Sequence, residues 1–595
     1  MRNRRQLVRC IFALTLLITV CQSDVVGRVS QTPSLHEAGH ISRGIHLPIV
    51  RKAVTSGHRK RAVNTGAIGL GDFQDVTYNV LVQVGETHVP VVLDTGSSDL
   101  WVLSAACQGA CSTGKVPLYP LTTFHPASLD AILMYGDSRT GTHAIGPIGY
   151  DFVSVAGLGL QNQYFAAINN TNTSVLETGS TGIFGLGFPI NSALWTDIYT
   201  NQHQSLMVHR NLPGRAIDSN SRFPDRLKNL VSRWFPKNNM STADNSNPAI
   251  RSKRQLANIS ELQSSFATIG PLIPRLVAQG ALDSPMFSVT LQRDTIEIGG
   301  NEGMLSIGAL PPTVKSESLT WVPVRGYPPN QGGLKPPPDA PGEVYPIAWE
   351  IPVDDVYFDG VKLPRSTLSS PNISLSALID TGNSLIRGPP DVISHIQTTL
   401  GGPHFACSPP HILAFQIGGQ LFIVDPRDFV TQVHPGDPDL CAANLVATDV
   451  PVANGSGYLY SWNLGDPFLK GVLAAFHYGS LTRPSQNPPR VGLLSTFDLN
   501  AGKALCDDKH KAETEHKDFP MIAEPAPASL PPSLGTGVGG VPLASPPSVT
   551  QSGVTSFGGG SANQANGDLE DVRIGFGTWT VLVSLMVWAA WRTLG

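Results

Sequence analysis

Apolar residues in this chain fall mainly in short β-branched runs, and only rarely at helical spacing. Val76–Val84 and Val89–Leu93 are two such runs broken at Gly85-Glu86, which predicts a hairpin. Further runs at Tyr150–Val155, Phe287–Leu291, Thr295–Ile298 and Ile351–Phe358 predict strands. Helical patterning is limited to short stretches such as Asp225–Phe235 and Ile273–Gln279. The expected class is mainly β. Two stretches interrupt the pattern. Residues 191–268 carry ten Lys/Arg and five acids with few strand signals, and read as an insertion. Gly326–Pro341 holds six prolines and reads as an extended loop.

The two ends have their own patterns. Arg2, Arg4, Arg5 and Arg9 precede the apolar run Ile11–Val20, with small residues before Ser23-Asp24. That is the layout of a signal peptide over residues 1–23, since a membrane span needs about 20 apolar residues. A basic tetrapeptide, His58-Arg59-Lys60-Arg61, then closes a short region before the strands begin. At the far end Ile574–Trp591 is 18 residues without a charge, followed only by Arg592, Thr593, Leu594 and Gly595. Residues 520–560 before it are dominated by Pro, Ser, Gly, Ala, Val and Thr, which cannot bury a core.

Composition narrows the class further. The 595 residues include 59 Gly and 49 Pro, and only 14% are charged, against about 25% in average proteins. A coiled coil or a helical repeat array does not fit. Beyond Arg61 there are 30 basic and 43 acidic side chains, a net charge of −13. Such a body offers no basic field to a nucleic acid. Of seven cysteines, Cys10 and Cys21 lie in the signal; Cys107 and Cys111 are four apart, Cys407 and Cys441 are 34 apart, and Cys506 is left over. No histidine lies within ten residues of Cys107 or Cys111, so disulfides are favoured over a metal site. His36-Glu37-Ala38-Gly39-His40 matches a zinc-peptidase pattern, but Pro33 and Gly39 break the helix it would need. No metal or cofactor is expected. Sequons at Asn169, Asn172, Asn239, Asn258, Asn372 and Asn454 suit an oxidising, glycosylating compartment.

One internal repeat carries the chemistry. Val91-Val-Leu-Asp94-Thr95-Gly96-Ser97-Ser98 is echoed 286 residues later by Ala377-Leu-Ile-Asp380-Thr381-Gly382-Asn383-Ser384. Each copy has a later partner in which apolar residues precede glycine, Ile183-Phe184-Gly185 and Leu464-Gly465. Asp-Thr-Gly alone can be a turn. Two copies, each ending an apolar strand, imply two similar lobes facing each other. Two carboxyls brought around one water cannot both ionise easily, so they share a proton. The ionised one can then activate the water against a peptide carbonyl, and the protonated one can hydrogen-bond the carbonyl oxygen.

On these motifs the chain, over roughly residues 74–498, resembles the pepsin-like aspartic peptidases of family A1, and among them the GPI-anchored fungal secreted aspartic proteases. The resemblance implies a bilobal fold with the active site between the lobes. It implies Asp94 and Asp380 as the catalytic pair, with Thr95, Gly96, Ser97, Thr381, Gly382 and Asn383 supporting them. Tyr135-Gly136-Asp137-Ser138 resembles the tip of the flap over the substrate, with Tyr135 pairing with Trp101. Asp137 stands where the family most often has Thr, which implies tolerance of Lys or Arg in the substrate. The family places bridges at Cys107–Cys111 and Cys407–Cys441. Asn383 departs from the Thr or Ser that normally donates to the second Asp; its amide can donate instead, with a different reach.

The resulting organisation is a signal at 1–23, a pro-segment at 24–61, an N-terminal lobe at 62–290 and a C-terminal lobe at 291–500. A stalk at 501–566 and a removed lipid-attachment signal at 567–595 follow. Ile45–Lys52 resembles the family's inhibitory strand; a kexin-type protease would cut after Arg61, and Arg254 is a second basic cleavage point. Small residues near Ser561 and Asn566 fit glycosylphosphatidylinositol attachment to an extracellular surface. The expected partners are protein or peptide substrates, the processing protease and, through the anchor, the membrane; the enzyme would work as a monomer. Alternatives are a single-pass anchor, a catalytically weakened pepsin-like binding or inhibitor protein, and a surface structural glycoprotein.

Overall fold

The computed structural model describes residues 66–519 except 70, 74–76, 109–110, 112–116, 137–141, 211–258, 292–302, 313, 370–372, 449–459 and 516, together with 523–524. The signal, the pro-segment, Arg61, Asp137, Arg254, four sequons (Asn239, Asn258, Asn372 and Asn454), Ser561, Asn566 and the apolar tail all lie outside the described residues.

The expected hairpin forms. Tyr78–Val84 pairs antiparallel with Thr87–Asp94 around Gly85, whose φ of 57° suits glycine. The tight packing there is a second reason for glycine: a Cβ would lie 2.6 Å from both Asp151 Oδ2 and Thr123 Oγ1. Tyr78–Val84 is buried along nearly its whole length because it also pairs with Thr142–Val155, which folds back over it. These strands belong to a ten-stranded sheet that builds the N-terminal lobe. The C-terminal lobe contains sheets of five, four and three strands. Between the lobes lies a six-stranded sheet in the order Gly66–Gly69, Gly303–Ile307, Met286–Leu291, Val472–His477, Arg490–Ser495, Thr320–Pro323.

Aromatic side chains weld this junction. Phe188 lies 4.4 Å from Trp349 between ring centroids, and Phe287 stacks on Phe476 at 4.7 Å. Trp349 Nε1 and the Tyr478 hydroxyl both donate to Leu186 O, at 3.0 and 2.6 Å. Trp349 and Tyr478 are fully buried, and truncating such a ring to alanine costs about 3–5 kcal/mol. Two disulfides close local loops, Cys107–Cys111 and Cys407–Cys441.

Three sequence readings need correction. The stretch 191–268 is not wholly an insertion: its ends form the helices Ala193–Arg210, Ile259–Ser264 and Phe266–Ile269, and Leu194, Trp195, Ile198 and Phe266 are buried in the N-terminal lobe. Ile351–Phe358 is two strands, Glu350–Pro352 and Asp355–Phe358. The first pairs with Ser376–Ile379 and the second with Leu413–Ile417, so the chain changes sheet at Val353-Asp354. The start of the region read as a stalk is a helix, Ala501–Glu515, which buries Ala501, Leu505 and Ala512. The short helix expected at Ile273–Gln279 is found at Leu272–Ala278.

Candidate active site

Each Asp-Thr-Gly begins where a buried strand ends. Thr87–Asp94 runs parallel to Gly182–Gly185, with Val92 opposite Ile183 and Asp94 opposite Gly185. Ser376–Ile379 runs parallel to Trp462–Leu464, with Leu378 opposite Asn463 and Ile379 opposite Leu464. A third strand completes each set: Leu100–Leu103 lies antiparallel to Gly182–Gly185, and Ile386–Gly388 antiparallel to Trp462–Leu464. The two lobes thus hold their loops by the same device.

The threonines lock the two loops to each other. Thr95 Oγ1 donates to Ile379 O at 2.7 Å and accepts from Thr381 N–H at 3.0 Å. Thr381 Oγ1 donates to Leu93 O at 2.7 Å and accepts from Thr95 N–H at 3.1 Å. All four bonds are buried. The glycines allow the carboxyls to meet: a Cβ on Gly96 would lie 2.5 Å from Asp380 Oδ1, and one on Gly382 would lie 2.4 Å from Asp94 Oδ1. Each glycine N–H also donates to its own aspartate, at 2.8 Å for Asp94 and 3.0 Å for Asp380.

The two buried carboxyls lie against each other's glycine, and both are held above the ordinary carboxylate range. Burial is the main cause for each; Asp94 is pushed up to about 7, with the charge of Asp380 as its second cause. For Asp380 donors from Asn463 and Gly382 and the charge of Arg387 pull the other way.

The remaining carboxylate oxygens differ in their partners. Ser97 Oγ donates to Asp94 Oδ2 at 2.5 Å. Asn383, at the corresponding place, does not reach Asp380. Its Nδ2 donates to Leu385 O at 2.6 Å and to Asn463 Oδ1 at 3.0 Å. Asn463 Nδ2 is the group that donates to Asp380 Oδ2, at 2.7 Å. The expectation that the Asn383 amide replaces the hydroxyl directly is therefore corrected. Asn463 and Arg387 were missed from the sequence. The available signal was a polar residue inside an apolar strand, Trp462-Asn463-Leu464, but its register is set by residues about 80 positions away.

Tyr135 ends the long strand His125–Tyr135, and its hydroxyl accepts from Trp101 Nε1 at 2.7 Å. Burial, then the charges of Asp94 and Asp99, keeps this phenol protonated. Gly136 follows at φ 85°, turning the chain. Asp99, beside the first motif, is buried and pushed up to about 6 by that burial. It accepts from Ser192 Oγ and from Ala193 N–H, and so holds the start of the helix Ala193–Arg210 to the active-site strand. The sequons at Asn169 and Asn172 lie on exposed residues. Among the described residues no His, Cys, Asp or Glu cluster could hold a metal.

Two lobes, paired Asp-Thr-Gly loops locked by threonines and a coupled pair of buried carboxyls define an aspartic-type endopeptidase. The family model for eukaryotic aspartyl proteases matches residues 77–218 and 257–482, and the chain belongs to that family. It is 23% identical to cathepsin E of Mus musculus over 427 residues, covering 69% of this chain and 79% of the relative. It is 24% identical to pepsin A of Sus scrofa over 425 residues, covering 68% and 80%. Napsin-A of Homo sapiens is 32% identical over 267 residues, covering 43% of this chain and 54% of that one.

Proposed function

We propose that Asp94 and Asp380 together activate a water that cleaves internal peptide bonds of protein substrates at acidic pH. The observation that carries this reading is the meeting of two buried carboxyls, one from each lobe, each with a glycine N–H and one side-chain donor already in place. One shared proton leaves one member ionised to take a proton from water, and the other neutral to hydrogen-bond the carbonyl oxygen. Tyr135, held by Trp101, closes over the substrate. Hydrolysis of an acid-denatured protein at pH 3–5, blocked by an inhibitor bearing a statine-like hydroxyl, tests the activity; no cleavage under these conditions refutes it.

The same reading covers the ends of the chain and rests on sequence. Residues 1–23 direct secretion, and 24–61 cover the acidic cleft until removed after Arg61. The apolar tail is exchanged for a lipid anchor near Ser561 or Asn566, which tethers the enzyme to the outer cell surface. No helix among the described residues is long and apolar enough to cross a membrane, and the tail lies outside them. Release of activity from intact cells by a phosphatidylinositol-specific phospholipase tests the anchor. Retention on the membrane with the Trp591 region still present in the protein would favour a single span.

A further inference from the structure

We propose that Asn463 supplies to Asp380 the hydrogen bond that Ser97 supplies to Asp94, and that Asn383 and Arg387 are positioning residues that fix its amide in the donating orientation. This rests on the peptidase reading above.

The matching strand registers allow a place-by-place comparison. Ser97 lies three residues after Asp94, and Asn383 three after Asp380. Ile183 faces Val92 in the first lobe, and Asn463 faces Leu378 in the second. Trp101 pairs with Ile183, and Arg387 pairs with Asn463. The first lobe thus has a hydroxyl near its carboxyl and an apolar residue on the neighbouring strand. In the second lobe both places are amides, and the bond to Asp380 comes from the strand.

The direction of the chain follows from the chemistry of its far end. Arg387 can only donate, and its Nε–H donates to Asn383 Oδ1 at 3.1 Å. That leaves Asn383 Nδ2 to donate to Asn463 Oδ1 at 3.0 Å. Asn463 Nδ2 must then donate onward to Asp380 Oδ2 at 2.7 Å. Asn383 and Asn463 are both buried, so water offers little competition for these bonds. A hydroxyl like that of Ser97 can donate to a carboxylate or accept from a carboxylic acid. The Asn463 amide nitrogen can only donate. This favours the ionised form of Asp380 and leaves the shared proton on Asp94.

The charged and titratable groups around Asp380 are few. Asp94 faces it across the cleft, with Tyr135 beyond Asp94. Arg387 lies on Ile386–Gly388. Asp466, after the strand Trp462–Leu464, is buried, and its N–H donates to Asn383 O at 2.9 Å.

The experiment measures kcat/KM against pH for the processed enzyme and three variants. Asn463→Ile copies the residue at the matching place in the first lobe. Losing a donor disfavours the ionised carboxylate, so the acidic limb should move to higher pH by about one unit, with about a tenfold loss on that limb. Asn383→Ser/Asn463→Ile recreates the Ser97/Ile183 pair and should return the limb towards wild type. Arg387→Lys keeps the positive charge near Asp380 but removes the Nε–H donated to Asn383, and should move the limb the same way by less; it carries the test if Asn463→Ile does not fold. An unmoved limb in folded Asn463→Ile, or in Arg387→Lys when that variant carries the test, overturns the proposal. So does a double variant no better than the single one. A wild-type enzyme that cleaves nothing refutes the peptidase reading instead.

Discussion

The two Asp-Thr-Gly loops share their threonine lock and glycine N–H bonds but differ in how the remaining carboxylate oxygen is satisfied. In the N-terminal lobe the donor is local: Ser97 lies within the same turn as Asp94. In the C-terminal lobe it is Asn463, which comes from a strand 83 residues away. The difference shows that the fold constrains the hydrogen bond more tightly than it constrains the residue that makes it. The lock behaves oppositely, since each threonine needs both its hydroxyl and its backbone N–H in place.

The strongest test of the shared part is removal of either carboxyl's ability to ionise. Asp94→Asn and Asp380→Asn should each lower kcat by about a thousandfold or more, because the pair acts as one unit. A large difference between the two, measured on one peptide substrate, would mean that only one lobe carries the chemistry. Next comes the lock. Thr95→Val and Thr381→Val each remove a buried donor and leave a buried N–H and a buried carbonyl without partners, costing about 2–4 kcal/mol. Urea denaturation should give nearly equal losses for the two; unequal losses would break the symmetry.

A smaller effect belongs to one lobe only. Trp101→Phe deletes the indole donor to Tyr135 and should lower kcat/KM by about tenfold with little loss of stability. The last prediction concerns pH. Between the ordinary aspartate value and about 7, folded Asp94 holds a proton that the unfolded chain has lost. The native state then binds more protons, so stability falls as pH rises through this window. The Tm should be higher at pH 5 than at pH 7 by a few degrees. Asp94→Asn should flatten this slope; an unchanged slope would place its origin in another group, such as Asp99.

Much of this was legible because it is local. The hairpin around Gly85-Glu86 and both Asp-Thr-Gly ends of apolar strands follow from neighbouring residues alone. Resemblance brought Trp101 and Tyr135 together, and the structure bonds them. What was missed depends on distant packing. Ala193–Arg210 lies in a polar, basic stretch, and it is a helix of the N-terminal lobe because Asp99 holds its start and Trp195 packs on Phe266. Ala501–Glu515 is anchored by only a few small or apolar residues, too sparse a stripe to stand out before the Pro-rich tail. Asn463 acquires its meaning only from the register with Leu378 and Arg387.

The final described strand has a mechanical consequence. After the helix Ala501–Glu515, Phe519 N–H donates to Gln432 in the C-terminal lobe, and Ala523–Glu524 then pairs with Gly71–Phe73 at the edge of the N-terminal sheet. The C-terminal lobe is therefore held at both of its chain ends by its neighbour, as a span fixed to two piers. Cutting either connection alone would leave the lobes joined, and each would still meet the other at an effective concentration set by the remaining link. A pull on the chain beyond Glu524 would load this short edge pairing first, before it reached the buried threonine lock between the two Asp-Thr-Gly loops.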